Sequence, residues 1–200
     1  MSGFYLDVEE LEFIQRRMGA TRKQLVMAYN AAMRKTLRKL HIRSVAMMID
    51  LTGTGNKKQM KKRTQMHARG GSRQVPRTGK IWFGLDDMPV SALEGTITSP
   101  PERERERDSL GRFARERSPQ GATFTPRSSS LSPVSFPGAF VATFRGKESL
   151  YERIPGNRYL REVKVPIMDV ALKDIEMDIF RQANTLLMAF FKKELERLMA

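Results

Sequence analysis

The sequence predicts an α+β fold: an antiparallel β-meander packed against a long N-terminal helix and a C-terminal helix, with a large loop insertion. Three observations predict it. From Pro137 to Pro166, three stretches (Phe140–Phe144, Leu150–Ile154 and Tyr159–Val165) alternate apolar and polar residues with the period of half-buried strands. Turn signals separate them, at Pro137-Gly138, Arg145-Gly146-Lys147 and Pro155-Gly156-Asn157. The segments from Thr21 to about Leu51 and from Met168 to Ala200 contain neither proline nor glycine and space their apolar residues as helices do. Three short strands need a cover on their apolar face, and these helices are the available cover.

Taken in order, Asp7 caps a short helix over Val8–Met18, with Glu9 and Glu10 in the first turn, where the helix dipole favours them. Gly19-Ala20 breaks it. Thr21 caps the long helix, whose face carries Leu25, Tyr29, Ala32, Met33, Thr36, Leu40, Met47 and Met48. At about 1.5 Å per residue it is roughly 45 Å long, enough to cross the meander and project beyond it. Its methionines suit ordinary core packing, and a partner groove is the alternative. Gly53-Thr54-Gly55 stops the helix.

The most basic part of the chain follows. Between 56 and 80 stand Lys57, Lys58, Lys61, Lys62, Arg63, Arg69, Arg73, Arg77 and Lys80, without one acidic residue. Lys57–Arg69 is expected as one cationic helix, and the remainder, with Gly70-Gly71 and Pro76, as loop. This arm reads as phosphate-facing, with a solvated flexible tract as the plainer alternative. It lacks interleaved aromatics of the kind that stack on single-stranded bases. Lys80–Gly84 is a short strand holding the only tryptophan, Trp82, and Ala92–Thr98 a further strand.

Composition shifts at Ser99. Residues 99–133 contain Pro100-Pro101, the alternating Glu102–Arg107 run and Ser128–Ser130, with few apolar residues (Leu110, Phe113, Phe124, Leu131). That is the signature of a disordered or partner-ordered insertion within a single domain spanning 1–200. The C-terminal helix has two apolar stripes: Leu172, Ile175, Ile179, Ala183, Leu186 and Phe190, and beside it Phe180, Leu187, Phe191, Leu195 and Leu198. The arc is wider than one buried face requires. The expectation is that the first stripe covers the sheet and the second meets a neighbouring subunit; a kink folding both into one core is the alternative.

At 200 residues and a net charge of +14, the chain holds more positive charge than solubility requires, which points to a polyanionic neighbour. The absence of cysteine excludes disulfides and thiolate metal sites. The N-terminus lacks the basic flank and apolar run of a signal peptide, and the apolar run Leu186–Phe191 is too short for a bilayer, so a soluble protein is expected. His41 and His67 share no metal-ligand spacing, and Gly53–Lys58 follows a helix rather than a strand and lacks the spacing of a phosphate loop. No serine sits in a nucleophile elbow. Neither an enzyme nor a cofactor is therefore expected.

The order of these parts resembles the minor tail protein Z family of long-tailed bacteriophages, the tail completion or neck proteins. The matching residues are Gly79–Val90 (GKIWFGLDDMPV), Pro137–Phe140 (PGAF) and Asn157–Val170 (NRYLREVKVPIMDV). The basic arm and long helix match in character. The resemblance spans residues 20–90 and 134–182 and leaves the 99–133 insertion unexplained. It implies a non-enzymatic virion protein at the head-proximal end of the tail, assembled in the host cytoplasm, that completes the tail and permits head–tail joining. The implied partners are its own copies in a ring, commonly sixfold, a tail terminator or tail tube protein, head–tail connector proteins and DNA in the lumen, with no membrane. Lys57, Lys58, Lys61, Lys62, Arg63, Arg69, Arg73 and Arg77 would then line the channel, and Phe180, Leu187, Phe191, Leu195 and Leu198 would form a subunit interface. A free nucleic-acid-binding protein using the 57–80 arm is the alternative, and an enzyme with an unrecognised site a more distant one.

Overall fold

The computed structural model describes residues 13, 16–17, 19–99 and 121–200. Of the expected Val8–Met18 helix only Phe13, Arg16 and Arg17 are described, and these are helical; the Glu-Arg run lies outside the described residues. The architecture is α+β, and the chain gathers into two compact units. One comprises the residues up to Met48 with Lys57–Leu85 and Ala171–Ala200; the other comprises Ile49–Asn56 and Asp86–Val170. Where the sequence suggests one domain, each unit is thus assembled from separate segments. Among the described residues no helix is long and apolar enough to cross a membrane.

The first unit is built on α1 (Arg22–Thr52), of which it holds the residues up to Met48. Thr21 and Gln24 form a capping box at its start. The Gln24 amide donates to Thr21 Oγ1 at 3.3 Å, and the Thr21 amide donates to Gln24 Oε1 at 2.9 Å. Ala28, Ala32, Thr36, Leu40, Ser44 and Met48, each four residues apart, are wholly buried, and Leu25, Tyr29, Met33 and Leu37 form a second buried row. The small residues of the first row leave room for large ones opposite. These come from the C-terminal helical segment, which consists of α3 (Met168–Asp174), a π-helical turn over Ile175–Phe180 and α4 (Arg181–Met199). There Ile175, Ile179, Ala183, Leu187, Phe191 and Leu195 form one buried row, also at steps of four. Rows at i±4 on both helices are the complementary ridges of close helix packing.

That row corrects the two-stripe expectation. The buried line takes its first three residues from one stripe and its last three from the other. Arg181 donates its amide to Glu176 O, five residues back, so the π turn inserts an extra residue and shifts the register between the two halves. Leu187, Phe191 and Leu195 pack on Ala28, Tyr29, Ala32, Met33 and Leu37 of the same chain, with Leu198 half-buried beside them. Phe180 is also half-buried. Leu172, at the head of the first stripe, is instead exposed. Glu194 lies among these apolar contacts yet stays charged. Hydrogen bonding from Lys35 is the chief cause holding its carboxyl below the ordinary range; burial opposes the shift, and Arg197, 3.2 Å away, adds to it.

In the second unit, β7 (Phe140–Phe144), β8 (Lys147–Arg153) and β9 (Leu160–Glu162) form the expected antiparallel meander. The β7–β8 turn is tighter than expected, with Phe144 paired to Lys147 and only Arg145 and Gly146 between, both at positive φ (53° and 76°) as a type I′ turn requires. The expected strand Tyr159–Val165 is split. The Val163 amide donates to Leu150 O at 3.0 Å while its carbonyl accepts from the Val90 amide at 3.2 Å, so the chain changes partners there. Beyond it, β10 (Lys164–Val165) pairs with β3 (Met88–Pro89). A 3₁₀ turn occupies Val90–Ala92, so the strand expected at Ala92–Thr98 begins only at Gly95.

The insertion expected over 99–133 is also narrower than its composition suggests. Residues 100–120 lie outside the described set. From Ala122 the chain forms β5 (Ala122–Pro126), which pairs with β4 (Gly95–Thr98) and β6 (Val134–Phe136). Phe124 and Leu131 are buried, and Ser128 Oγ donates to Asp50 O at 3.0 Å. Alternating Ala122, Phe124 and Pro126 inward supplies a buried strand face that the proline and serine content masks.

Candidate nucleic-acid interface

The basic arm is folded, and it is folded differently from the single helix expected over Lys57–Arg69. Helix α2 covers only Lys57–Arg63; β1 (Thr64–Arg69) and β2 (Thr78–Phe83) then form an antiparallel hairpin with Thr64 opposite Phe83 and Arg69 opposite Thr78. Pairing with β2 turns this stretch into a strand: Thr64 is buried opposite Phe83, while Met66 and Ala68, on the same side opposite Ile81 and Gly79, are exposed. Gly79 fits on that side because a Cβ there would stand 2.5 Å from Leu37 Cδ1. Gln65 Nε2 donates to Lys62 O at 3.0 Å and closes the end of α2.

Helix α2 is held by one apolar anchor, the fully buried Met60. Lys57, Lys58, Lys61 and Lys62 are exposed. Lys57 and Lys61, and Lys58 and Lys62, are like-charge neighbours at i,i+4, each pair costing about 0.2–0.5 kcal/mol. Among the described residues no ion pair involves these lysines, Arg69, Arg73 or Lys80. The helix therefore keeps a local repulsion that its own fold does not relieve, a departure from local consistency that functional sites characteristically carry.

Arg63 has a structural part. Its carbonyl accepts from the Gly84 amide at 2.7 Å and its Nη1 donates to Gly84 O at 3.2 Å, joining α2 to the end of β2. His41 ties β1 to α1 through Nε2–H donated to Thr64 O at 2.8 Å.

The Gly70–Arg77 connection is loop, as expected, but a held one. Asn30, in the third turn of α1, donates through Nδ2 to Ser72 O (2.8 Å) and Val75 O (3.2 Å), and its Oδ1 accepts from the Arg77 amide at 2.6 Å. Ser72 Oγ accepts from the Val75 amide at 3.0 Å. Gly70 and Gly71, at φ 71° and 95°, make the turn. Gly71 also admits the Arg77 guanidinium, since a Cβ there would lie 2.6 Å from Arg77 Nε. Arg73 is exposed and Arg77 half-buried.

Sequence reasoning missed three contributors. Arg73 and Gln74 line a cleft of about 600 Å³ together with Arg22, Lys23 and Val26 of the first turns of α1. Arg22 and Lys23 add two cations at a helix end where the dipole disfavours them. The only local signal was that unfavourable placement. Asn30 was legible as a polar residue inside an apolar helix, but its partners lie 42 to 47 residues away. Among the described residues no three His, Asp or Glu side chains gather as metal ligands would. No protein-family model, curated protein or solved structure matches this chain.

Proposed function

We propose that this chain is a structural protein of the head-proximal end of a phage tail, completing the tail and enabling head–tail joining as a ring around the DNA channel, with the α2–β1–β2 arm facing DNA. The observation that carries the reading is the arm itself: a folded, core-anchored hairpin and helix whose exposed lysines have no acidic partner among the described residues, on a stretch free of carboxylates. Such a surface suits a polyanion held at a fixed distance from a scaffold. The resemblance of the chain's motif order to the minor tail protein Z family suggests the setting. Its partners in that setting are further copies of itself, a tail terminator or tube protein, and connector proteins.

A ring needs two different faces on each subunit. Leu187, Phe191 and Leu195 are taken by the chain's own core, so the apolar surface in that unit open to a neighbour includes, among the described residues, Ile42, Leu172 and Met177, 65%, 44% and 52% exposed. Electron microscopy of a lysate from a phage deleted for this gene tests the reading. Full heads beside separate tails of normal length are expected, and joined, normal particles would overturn it. The second reading, a free nucleic-acid-binding protein, is favoured by the exposed cations alone. It expects steeply salt-dependent duplex binding by the isolated chain together with normal virion assembly in the deletion.

A further inference from the structure

We propose that the outer face of the β1–β2 hairpin binds single-stranded nucleic acid, with Trp82 stacking on a base and Arg69 and Lys80 meeting the flanking phosphates. This rests on the polyanion-facing reading of the arm and adds the class of ligand to it.

The register decides which residues share that face, because directly opposed residues of an antiparallel pair point to the same side. Thr64 and Phe83, Met66 and Ile81, and Ala68 and Gly79 form the inner side, on which Ile81 and Phe83 pack against the core. Gln65 and Trp82, His67 and Lys80, and Arg69 and Thr78 form the outer side, and all six are exposed. The strand thus brings an aromatic ring into line with cations that the sequence separates from it. Trp82 and Lys80 stand about 6.6 Å apart along the strand, from a rise of about 3.3 Å per residue.

Trp82 is 41% exposed, on the face of the hairpin opposite Ile81 and Phe83. Its ring is also placed. A Cβ on Gly84 would come within 2.8 Å of Trp82 Cη2, so the ring lies against a glycine whose backbone Arg63 holds from both sides. A duplex hides the faces of its bases in the stack and presents phosphates only; a single strand presents both. A surface joining a fixed indole to unpaired cations matches the second. An acidic protein would find the cations but no reason for the indole.

Trp82 is the only tryptophan, so its emission reports this site alone. The purified full chain would be titrated at low salt with a thymidine oligonucleotide and with a duplex of the same length. The single strand is expected to quench the emission. Trp82→Ala is expected to weaken single-strand binding about tenfold, within the range that alanine substitution of base-stacking aromatics gives, with Trp82→Phe recovering part of it. Gly84→Ala, which keeps the indole but displaces it, should produce a similar loss and covers the case in which Trp82→Ala disturbs folding. Single-strand binding with unchanged emission, and undiminished in both variants, would overturn the stacking while leaving the phosphate-facing reading in place. Failure of both nucleic acids to bind at low salt would overturn the two together.

Discussion

The β7–β8–β9 meander and the β1–β2 hairpin are both small antiparallel sheets with glycine turns and an exposed aromatic residue, yet they treat positive charge in opposite ways. In the meander, Arg145, Arg153 and Arg158 lie over the rings of Phe144, Phe140 and Tyr159 at 5.4 to 5.8 Å, and Arg161 pairs with Glu152 at 2.8 Å. Each of these four cations has a partner within its own sheet. In the basic arm, Lys57, Lys58, Lys61, Lys62, Arg69 and Lys80 have none among the described residues. Net charge alone does not mark a polyanion surface; charge that the fold leaves unneutralised does.

The largest effect is expected from charge reversal. Converting Lys57, Lys58, Lys61 and Lys62 to Glu should lower duplex affinity about a hundredfold or more and flatten its salt dependence by about 3–4 in log–log slope, near 0.9 per phosphate contact. Thermal stability should hold, because the lysines are exposed and mutually repelling. Converting Arg145, Arg153, Arg158 and Arg161 to Glu changes the net charge by the same eight units and should lower affinity far less. Equal losses from the two sets, read from binding isotherms over a range of salt, would remove the distinction between paired and open charge.

A smaller effect is expected at Asn30. Asn30→Ala removes the three hydrogen bonds that clamp residues 72–77 and should cost about 1–2 kcal/mol in denaturant unfolding, since the groups it frees are partly open to water. Amide exchange at Val75 and Arg77 should accelerate while that of the meander stays as it was. If exchange in the loop is unaffected, the arm is not held in the way its hydrogen bonds indicate.

The two regions should also separate in acid. Burial alone would raise the Glu162 carboxyl, but hydrogen bonds from Ser149 Oγ (2.5 Å) and from the Ser91 amide (2.9 Å) outweigh it and hold the group below the ordinary carboxylate range. A carboxyl depressed in the folded state adds stability above its unfolded pKa, near 4.3, and loses it as pH falls through the folded value. The meander should therefore loosen as pH drops below about 4.3, and Glu162→Gln should flatten that dependence. The basic arm has no carboxylate to protonate. Its backbone exchange, corrected for intrinsic rates, should show no matching transition.

Much of this was legible in the sequence. The long helix and its Thr21 cap, the first two meander strands, the Met168 start of the C-terminal helix and the acid-free arm follow from local periodicity, capping and turn chemistry. What was not legible depended on partners distant in sequence. Lys57–Arg69 has enough helix-forming lysines to read as one helix, and only pairing with Thr78–Phe83 turns Thr64–Arg69 into a strand. Trp82 reads as an isolated aromatic until that pairing places it beside Gln65 and in line with Lys80. Leu187, Phe191 and Leu195 read as a second stripe because a regular helix has 3.6 residues per turn. One π turn, which leaves no clear mark in the sequence, brings them into the row begun by Ile175 and Ile179.

The smallest effect concerns the scaffold that both readings of the arm require. Thr36 Oγ1 is buried in the wholly buried row of α1 without a hydrogen-bond partner. A hydroxyl in that position contributes packing but loses its hydration, and valine has nearly the same shape without that loss. Thr36→Val should therefore raise stability by about 0.5–1 kcal/mol in denaturant unfolding, the scale of an unsatisfied polar group replaced by an apolar isostere. The slope of free energy against denaturant should not change, because the surface exposed on unfolding is the same. Nucleic-acid affinity should not change either, as Thr36 is enclosed and the arm's cations face outward. Destabilisation by valine would mean that the hydroxyl has a partner, and that α1 packs on its neighbours less closely than its buried row of small residues indicates.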